Sequence, residues 1–164
     1  MLVNGRIGTS IEEVVVKGPG RKPSKRVVNQ ILRLDREYLS GNYLTKKDIL
    51  NGFLFWIDCR EGRSSGLSVC AYVLLQYYKS TYTIRSVVVL PKLRGKGVAN
   101  KLLLNSIKWV RRKKGKTLHT YASAYNYPSI NMLVKSGFKV ICYSTSYSHI
   151  DGKDVPWLSF RREI

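Results

Sequence analysis

Residues 82–99, YTIRSVVVLPKLRGKGVA, limit the possible folds of this chain more than any other stretch. A β-branched run, residues 84–90, is stopped by Pro91, and residues 94–97 then lead into an amphipathic segment with helical periodicity. A strand therefore passes into a helix through a turn that contains two glycines. Because glycine lacks a Cβ atom, a ligand can approach the amides that begin the helix, where the helix dipole favours negative charge. The sequence predicts a phosphate-binding turn.

Two common phosphate-binding motifs do not match this turn. A dinucleotide-binding fingerprint requires a third glycine, but Asn100 follows Ala99, and no strand with a ribose-binding acid follows at the usual distance. A P-loop requires Lys and then Ser or Thr after its last glycine, and Val98 occupies that place. The turn therefore belongs to another class of strand-to-helix connection.

Residues 125–138 form a second informative stretch, which predicts a short helix followed by a strand. Asn126 or Tyr127 begins the helix, with Pro128 in its first turn. Gly137 ends it in the left-handed conformation, before a strand that begins at Phe138. The apolar residues expected to face the core are Ile130, Leu133 and Val134.

The two stretches together resemble the GNAT superfamily of acyl-CoA-dependent N-acetyltransferases. Residues 94–99 resemble its R/Q-x-x-G-x-G/A signature, and the usual preceding V-x-V-x-P strand is represented by Val87, Val89 and Pro91. Residues 126–138 are similar to its second motif, N-x-x-A-x-x-x-Y-x-x-x-G-F, in the family order and roughly 30 residues later. The matching positions of the second stretch are Asn126, Lys135, Gly137 and Phe138.

The resemblance implies an α/β (α+β) fold, with a mixed, mostly antiparallel sheet of six to seven strands. About four helices flank the sheet, which is splayed between strands 4 and 5, and residues 1–164 form one domain. The resemblance is clear from residue 45 to the end, and rests only on the order of elements before that. The strands predicted from the sequence are 13–17, 53–59, 67–78, 82–90, 117–122, 138–147 and 157–162.

Four helices are predicted from capping residues and apolar periodicity. Ser24 begins the first, which Gly41 ends, and Thr45 begins a short second helix that stops near Gly52. The third follows the glycine turn and runs to about Lys114, with Gly115 as its stop, and residues 126–137 supply the fourth.

The resemblance also implies a site for acetyl-CoA as co-substrate. Backbone groups of the fourth strand would bind the pantetheine, the amides of the glycine turn would bind the pyrophosphate, and two residues after the fifth strand would complete the site. A neutral amine would attack the thioester directly while an amide of the fourth strand polarises the carbonyl. The residues expected to bind acetyl-CoA are Val87, Val88, Val89, Arg94, Gly95, Lys96, Gly97, Val98, Ala99, Asn126 and Lys135.

The chain departs from the family where acid–base groups are usual. Many members have a Glu on the fourth strand and a Tyr on the helix after the fifth strand; here Ser86 (or Thr83) and Leu133 stand at those places, and Ser129 replaces a usual Ala. No catalytic residue is therefore assigned. The groups that could substitute for them are Asp58, His119, Tyr125, Tyr143 and Tyr147.

Charge is the most pronounced feature of the composition. The 164 residues carry 29 Lys and Arg against 10 Asp and Glu, a formal net charge of +19, which favours a polyanionic partner such as tRNA or another RNA. Solubility and helix capping are the simpler explanations of this excess. The cations in question are Arg21, Lys22, Lys25, Arg26 and residues 111–116, and Lys79 lies among Tyr77, Tyr78 and Tyr82.

Other features of the composition bear on folding, metal binding and cellular location. Hydrophobic residues make up 44% of the chain and prolines number five, which predicts a folded domain. Cys59, Cys70 and Cys142, with His119 and His149, lack metal-ligand spacing, so no metal is expected. We expect a cytoplasmic monomer or homodimer with no membrane segment.

Two functions of different class remain open. One is an active N-acetyltransferase whose acceptor is an α-amine on an aminoacyl-tRNA or a ribosomal protein. The other is a degenerate domain that uses the same fold to bind nucleic acid or protein. The intact glycine turn favours the first, whereas Leu133 favours the second.

Overall fold

The computed structural model describes residues 16–19, 22–39, 43–59, 66–148 and 152–164. The helices are α1 (Lys25–Tyr38), α2 (Lys46–Asn51), α3 (Val98–Arg112) and α4 (Tyr127–Lys135). The strands are β1 (Val16–Lys17), β2 (Phe53–Cys59), β3 (Ser68–Tyr78), β4 (Thr81–Val89), β5 (Thr117–Ser123), β6 (Lys139–Ser148) and β7 (Lys153–Glu163). They form one seven-stranded sheet in the order β1-β2-β3-β4-β5-β7-β6, antiparallel except for the parallel pair β4–β5. The predicted fold class is confirmed.

The helix starts follow the predicted capping residues. Ser24 Oγ accepts a hydrogen bond from the Val27 amide, and Thr45 and Asp48 form a reciprocal capping box that begins α2. The hydrogen bonds from Thr45 also lower the pKa of Asp48 below its usual value. Gly41 and residues 13–15 of the predicted first strand lie outside the described residues.

The end of α3 differs from the prediction. The helix was expected to run to about Lys114 with Gly115 as its stop, but it ends at Arg112, and Lys114, with φ 58°, adopts the left-handed conformation after it. Gly115 is required for a different reason, because a Cβ atom there would lie 2.5 Å from Val110 Cγ1 and 2.9 Å from the Tyr82 ring. Its role is to allow close packing of α3 against β4.

The sheet separates two apolar cores. Residues of α3 pack on one face with alternate residues of β4, including Val87 and Val89. Residues of α1 pack on the other face with Val88 and Tyr72. This alternation follows from the two-residue period of a strand, so neighbouring side chains of β4 face different cores.

A β-bulge changes the register of β4 at its middle. Leu74 pairs with Ser86 and Leu75 pairs with Ile84, so Arg85 is the extra residue of β4. The bulge lies between the part of β4 that pairs with β5 and the part that does not.

The last helix and hairpin agree with the prediction in outline. Leu133 is buried and Gly137 has φ 80°, but Val134 is 53% exposed, so its expected place in the core was wrong. The following strand begins at Lys139, one residue later than predicted. In the described residues, no helix is long and apolar enough to cross a bilayer.

Candidate functional site

A gap in the sheet opens between β4 and β5. The two strands pair only through Tyr82–Leu118 and Thr83–His119, and one further contact follows, from Thr120 Oγ1 to the Ile84 carbonyl at 3.3 Å. After the bulge, the described part of β4 pairs with β3 alone. The backbone edge of residues 86–89 therefore faces the gap and, apart from the Val89 carbonyl, which Arg94 engages, is available to a ligand.

The glycine turn lies at the end of this gap. A short 3₁₀ segment, Pro91–Leu93, leads from β4 into Gly95 and Gly97, whose φ angles are 73° and 74°. A Cβ atom built on either glycine meets no atom within 4 Å, so the space above the turn is open. The left-handed backbone and the open space together explain why glycine is present at both positions.

The N-terminus of α3 completes the turn. Gly97 is its N-cap and supplies no side-chain hydrogen bond, and the first turn contains no acidic residue. The amides of Val98, Ala99 and Asn100 are the ones that an α-helix leaves without intrahelical partners. With the helix dipole they form a suitable site for a phosphate group. This geometry fits the pyrophosphate of a coenzyme A thioester.

Arg94 connects the glycine turn to two neighbouring elements. Its Nε donates a hydrogen bond to the Val89 carbonyl at 3.1 Å, and its guanidinium lies 5.6 Å from the centre of the Tyr38 ring in α1. The side chain thereby joins the turn to β4 and to the end of α1. Lys96 is exposed at the same turn.

The structure distributes the other predicted acetyl-CoA residues around the gap. Val87 and Val89 pack towards α3 and Val88 packs towards α1, so any contact with a ligand in the gap falls to their backbone groups. Asn126 Oδ1 accepts a hydrogen bond from the Ser129 amide at 3.2 Å and caps α4. Lys135 is exposed in the last turn of α4. Direct binding by these residues stays a prediction.

Sequence reasoning missed the contact that brings α4 to the turn. Ser136 Oγ lies 3.3 Å from Asn100 Oδ1, which joins the end of α4 to the first turn of α3. This contact brings the end of α4, where Lys135 lies, to the first turn of α3. Neither residue carries a signal in the sequence, because a single hydrogen bond between two helix ends has no periodicity.

A buried polar network beneath β4 was also missed. Asp35 Oδ1 accepts hydrogen bonds from Tyr72 Oη at 2.6 Å and from Ser86 Oγ at 3.1 Å, and the two hydroxyl oxygens lie 3.0 Å apart. Asp35 Oδ2 accepts the Leu44 amide at 2.7 Å. Burial, and then the hydrogen bond to Asp35, raises the pKa of Tyr72. The network joins α1, β3, β4 and the residue before the cap of α2.

This network predicts a measurable loss of stability. We expect Tyr72→Phe to lower the free energy of unfolding by about 1–3 kcal/mol, because it removes a donor from a buried carboxylate. Urea unfolding followed by circular dichroism measures the change. Tyr78→Phe, at a position 71% exposed, is the control and should shift stability by less than about 0.5 kcal/mol. Equal effects of the two substitutions would contradict the assigned role of the network.

Most of the acid–base groups proposed from the sequence lie away from the gap. Asp58 is on β2, with β3 and β4 between it and the gap, and Tyr143 and Tyr147 are on the edge strand β6. His119 pairs with Thr83, where β4 and β5 are still joined. Tyr125, between β5 and α4, is 63% exposed. The structure therefore does not gather these five groups into one acid–base cluster.

The two positions that depart from the family pattern are both packed. The Ser86 hydroxyl is engaged by Asp35 and Tyr72, and Leu133 is 4% exposed in the core on the α3 face. Neither side chain is an ordinary acid or base at neutral pH. These two positions therefore supply no ordinary acid or base to the gap.

Comparisons with known proteins agree with this geometry. Residues 28–138 match the family model described as the acetyltransferase (GNAT) family. No curated protein sequence matches the chain.

Several solved structures are similar in fold. The ribosomal-protein-S18-alanine N-acetyltransferase from Escherichia coli has a TM-score of 0.72 and 14% identity, over 93% of this chain and 94% of that one. Arabidopsis thaliana NAA60, solved with a bisubstrate analogue, has a TM-score of 0.77 and 14% identity, over 92% and 98%. A GNAT family acetyltransferase from Elizabethkingia anophelis, solved with acetyl-CoA bound, has a TM-score of 0.66 and 14% identity, over 93% and 99%. At these identities the similarity establishes the fold.

Proposed function

Because the chain belongs to the acetyltransferase (GNAT) family, we propose that it transfers an acetyl group from acetyl-CoA to an α-amine. The observation that carries this proposal is the gap between β4 and β5, which ends at a helix N-terminus that has no side-chain cap and is preceded by two glycines with open space above them. A domain that no longer binds acetyl-CoA would have no need to keep both the gap and the glycine turn. Acetyl-CoA is the co-substrate and supplies the acetyl group as an activated thioester.

The residues of the chain bind and orient the reactants. The amides of residues 98–100 hold the pyrophosphate, and the space above Gly95 and Gly97 admits it without a steric clash. The backbone edge of residues 86–89, apart from the Val89 carbonyl that Arg94 engages, binds the pantetheine arm by hydrogen bonds. An amide on that edge polarises the thioester carbonyl in the transition state.

The acceptor is an α-amine for a chemical reason. An α-amino group has a pKa of about 7.7–8.0, so a substantial fraction is neutral and nucleophilic near neutral pH without an enzymatic base. Ser86 and Leu133 leave the family's usual base and acid positions without ionisable groups. The proposed acceptors are consequently a protein N-terminus or an aminoacyl group, on a carrier that is RNA-linked or ribosome-associated. The net charge of +19 supports an acidic carrier of this kind.

Two measurements test the proposed activity. Isothermal titration calorimetry should show acetyl-CoA binding to one site per chain. A thiol-release assay should then detect free coenzyme A only when acetyl-CoA and a peptide with a free N-terminus are both present. Absence of acetyl-CoA binding would overturn the proposal.

A second candidate function is a catalytically inactive binding module of the same fold. The burial of Leu133 at the usual acid position and the engaged hydroxyl of Ser86 favour it. Acetyl-CoA binding without thiol release, for α-amine and lysine acceptors alike, would establish this second function in place of the first.

A further inference from the structure

We propose that the end of the molecule opposite the glycine turn binds single-stranded RNA. The surface, termed here the basic–aromatic end, consists of Tyr77 and residues 111–114. All of these side chains are exposed, and Tyr77 is 54% exposed. Tyr78 lies on the opposite face of the sheet with Gln76, which donates a hydrogen bond to Asp48 of α2, and is not part of this surface. A solvent-exposed aromatic ring beside a row of cations is the chemical combination that binds stacked bases and phosphates.

Aromatic packing holds the two parts of this surface together. The Tyr77 ring lies 4.6 Å from the Tyr82 ring, which lies 5.6 Å from Trp109, and Lys113 Nζ lies 5.8 Å from the centre of the Trp109 ring. The buried rings of Tyr82 and Trp109 thus connect the β3–β4 hairpin with the last turn of α3. Tyr77 and the cations of α3 therefore belong to one continuous surface.

The charge of this end has no role in binding acetyl-CoA. The helix α3 runs from the glycine turn at Val98 to Arg112, and its 15 residues separate the two ends by about 22 Å. Four successive cations, Arg111, Arg112, Lys113 and Lys114, also exceed what the dipole of one helix end requires. A distinct anionic partner accounts for them better.

The described acidic group at the end of the neighbouring β7 is already engaged. Glu163 lies 3.0 Å from Arg161. Within the part of the chain that the structure describes, the cations of residues 111–114 form no ion pair with it. These cations are therefore open to phosphate groups, in a surface that favours a polyanion.

Fluorescence anisotropy with a fluorescein-labelled 12-nucleotide oligouridylate tests the proposal, at about 50 and 200 mM KCl and without acetyl-CoA. We expect the double variant Arg111→Glu, Arg112→Glu to raise Kd at least about tenfold and to reduce the salt dependence, since phosphate contacts release counterions. The matched control is Arg33→Glu, Arg36→Glu on α1, which changes the net charge equally at another exposed place. Equal weakening by the two double variants would overturn the proposal.

The aromatic part has its own test. Tyr77→Leu should raise Kd about tenfold with little change in salt dependence, because stacking carries no net charge and leucine keeps the apolar contact with Tyr82. Tyr143→Leu, at a position 63% exposed on β6, is the control and should leave Kd unchanged. An unchanged Kd for Tyr77→Leu, or no binding of the wild type at about 50 mM KCl, would also overturn the proposal.

This inference deepens the proposed function by locating the surface that holds an RNA-linked carrier. RNA binding is measured without acetyl-CoA, and acetyl-CoA binding without RNA. A loss of the RNA-binding proposal can therefore be distinguished from a loss of the proposed acetyltransferase function.

Discussion

A Gly97→Glu variant is expected to lose acetyl-CoA binding by about a hundredfold or more while it remains folded. The added carboxylate enters the open space above the turn, where the pyrophosphate is proposed to lie. Juxtaposed like charges cost several kcal/mol, and each 1.4 kcal/mol is about tenfold in affinity. Calorimetric titration with acetyl-CoA measures the loss, and circular dichroism confirms the fold.

Two control variants separate the ligand effect from backbone strain. Gly152, with φ 62° and open space around it, lies in the hairpin between β6 and β7, away from the turn. Gly152→Glu therefore carries the same left-handed penalty and the same charge, and should bind acetyl-CoA normally. Gly97→Ala introduces only the strain and should retain part of the affinity. Wild-type affinity in Gly97→Glu would show that the pyrophosphate lies elsewhere.

The parts of the site that the sequence could predict are local. The three helix caps each accept a hydrogen bond from an amide only three residues later in the chain, so capping preferences are sufficient to place them. They are Ser24, Thr45 and Asn126. The glycine turn is similarly contained in one strand-to-helix connection. Residues that interact within one turn leave a pattern in the sequence.

The parts that the sequence could not predict depend on distant residues. Asp35 is 37 positions from Tyr72 and 51 from Ser86, and nothing in the spacing of such residues signals a shared buried network. Gly115 was predicted as the stop of α3, but the space at this position is limited by Tyr82, a residue of another element. Tertiary packing decided both outcomes.

The exposure of Val134 has the same kind of cause. Its position on α4 fits an apolar stripe with Ile130 and Leu133, yet only Leu133 is fully buried. Helical periodicity defines a direction around the helix and leaves open how wide a face the neighbouring elements cover. The candidate acid–base groups could not be placed at the gap from the sequence for a similar reason. The order of the strands in the sheet decides which side chains face the gap, and local sequence does not reveal that order.

The choice of acceptor amine is expected to have a large effect on the rate of acetylation. We expect a peptide with a free N-terminus and no lysine to be acetylated with a kcat/KM about a hundredfold above that of an N-blocked peptide with one lysine. At neutral pH about one lysine side chain in a thousand is neutral, against roughly one α-amine in ten. A positioned base would reduce this difference, but Ser86 is bound to Asp35 and Leu133 has no ionisable group.

The pH dependence distinguishes this mechanism from one with an enzymatic base. For the α-amine peptide, kcat/KM should rise between pH 6 and 9 with a single apparent pKa of about 7.7–8.0, which belongs to the acceptor. An aminoacyl-tRNA serves as a third acceptor, and its rate should follow the pKa of its own amine. A second ionisation near pH 6–7, or a preference for the lysine peptide, would reveal a catalytic base in the enzyme. The Ser86 hydroxyl is bound to Asp35 and Tyr72 and is not proposed to act as a base. If the acceptor amine alone titrates, Ser86→Ala should therefore leave the shape of the pH profile of kcat/KM unchanged.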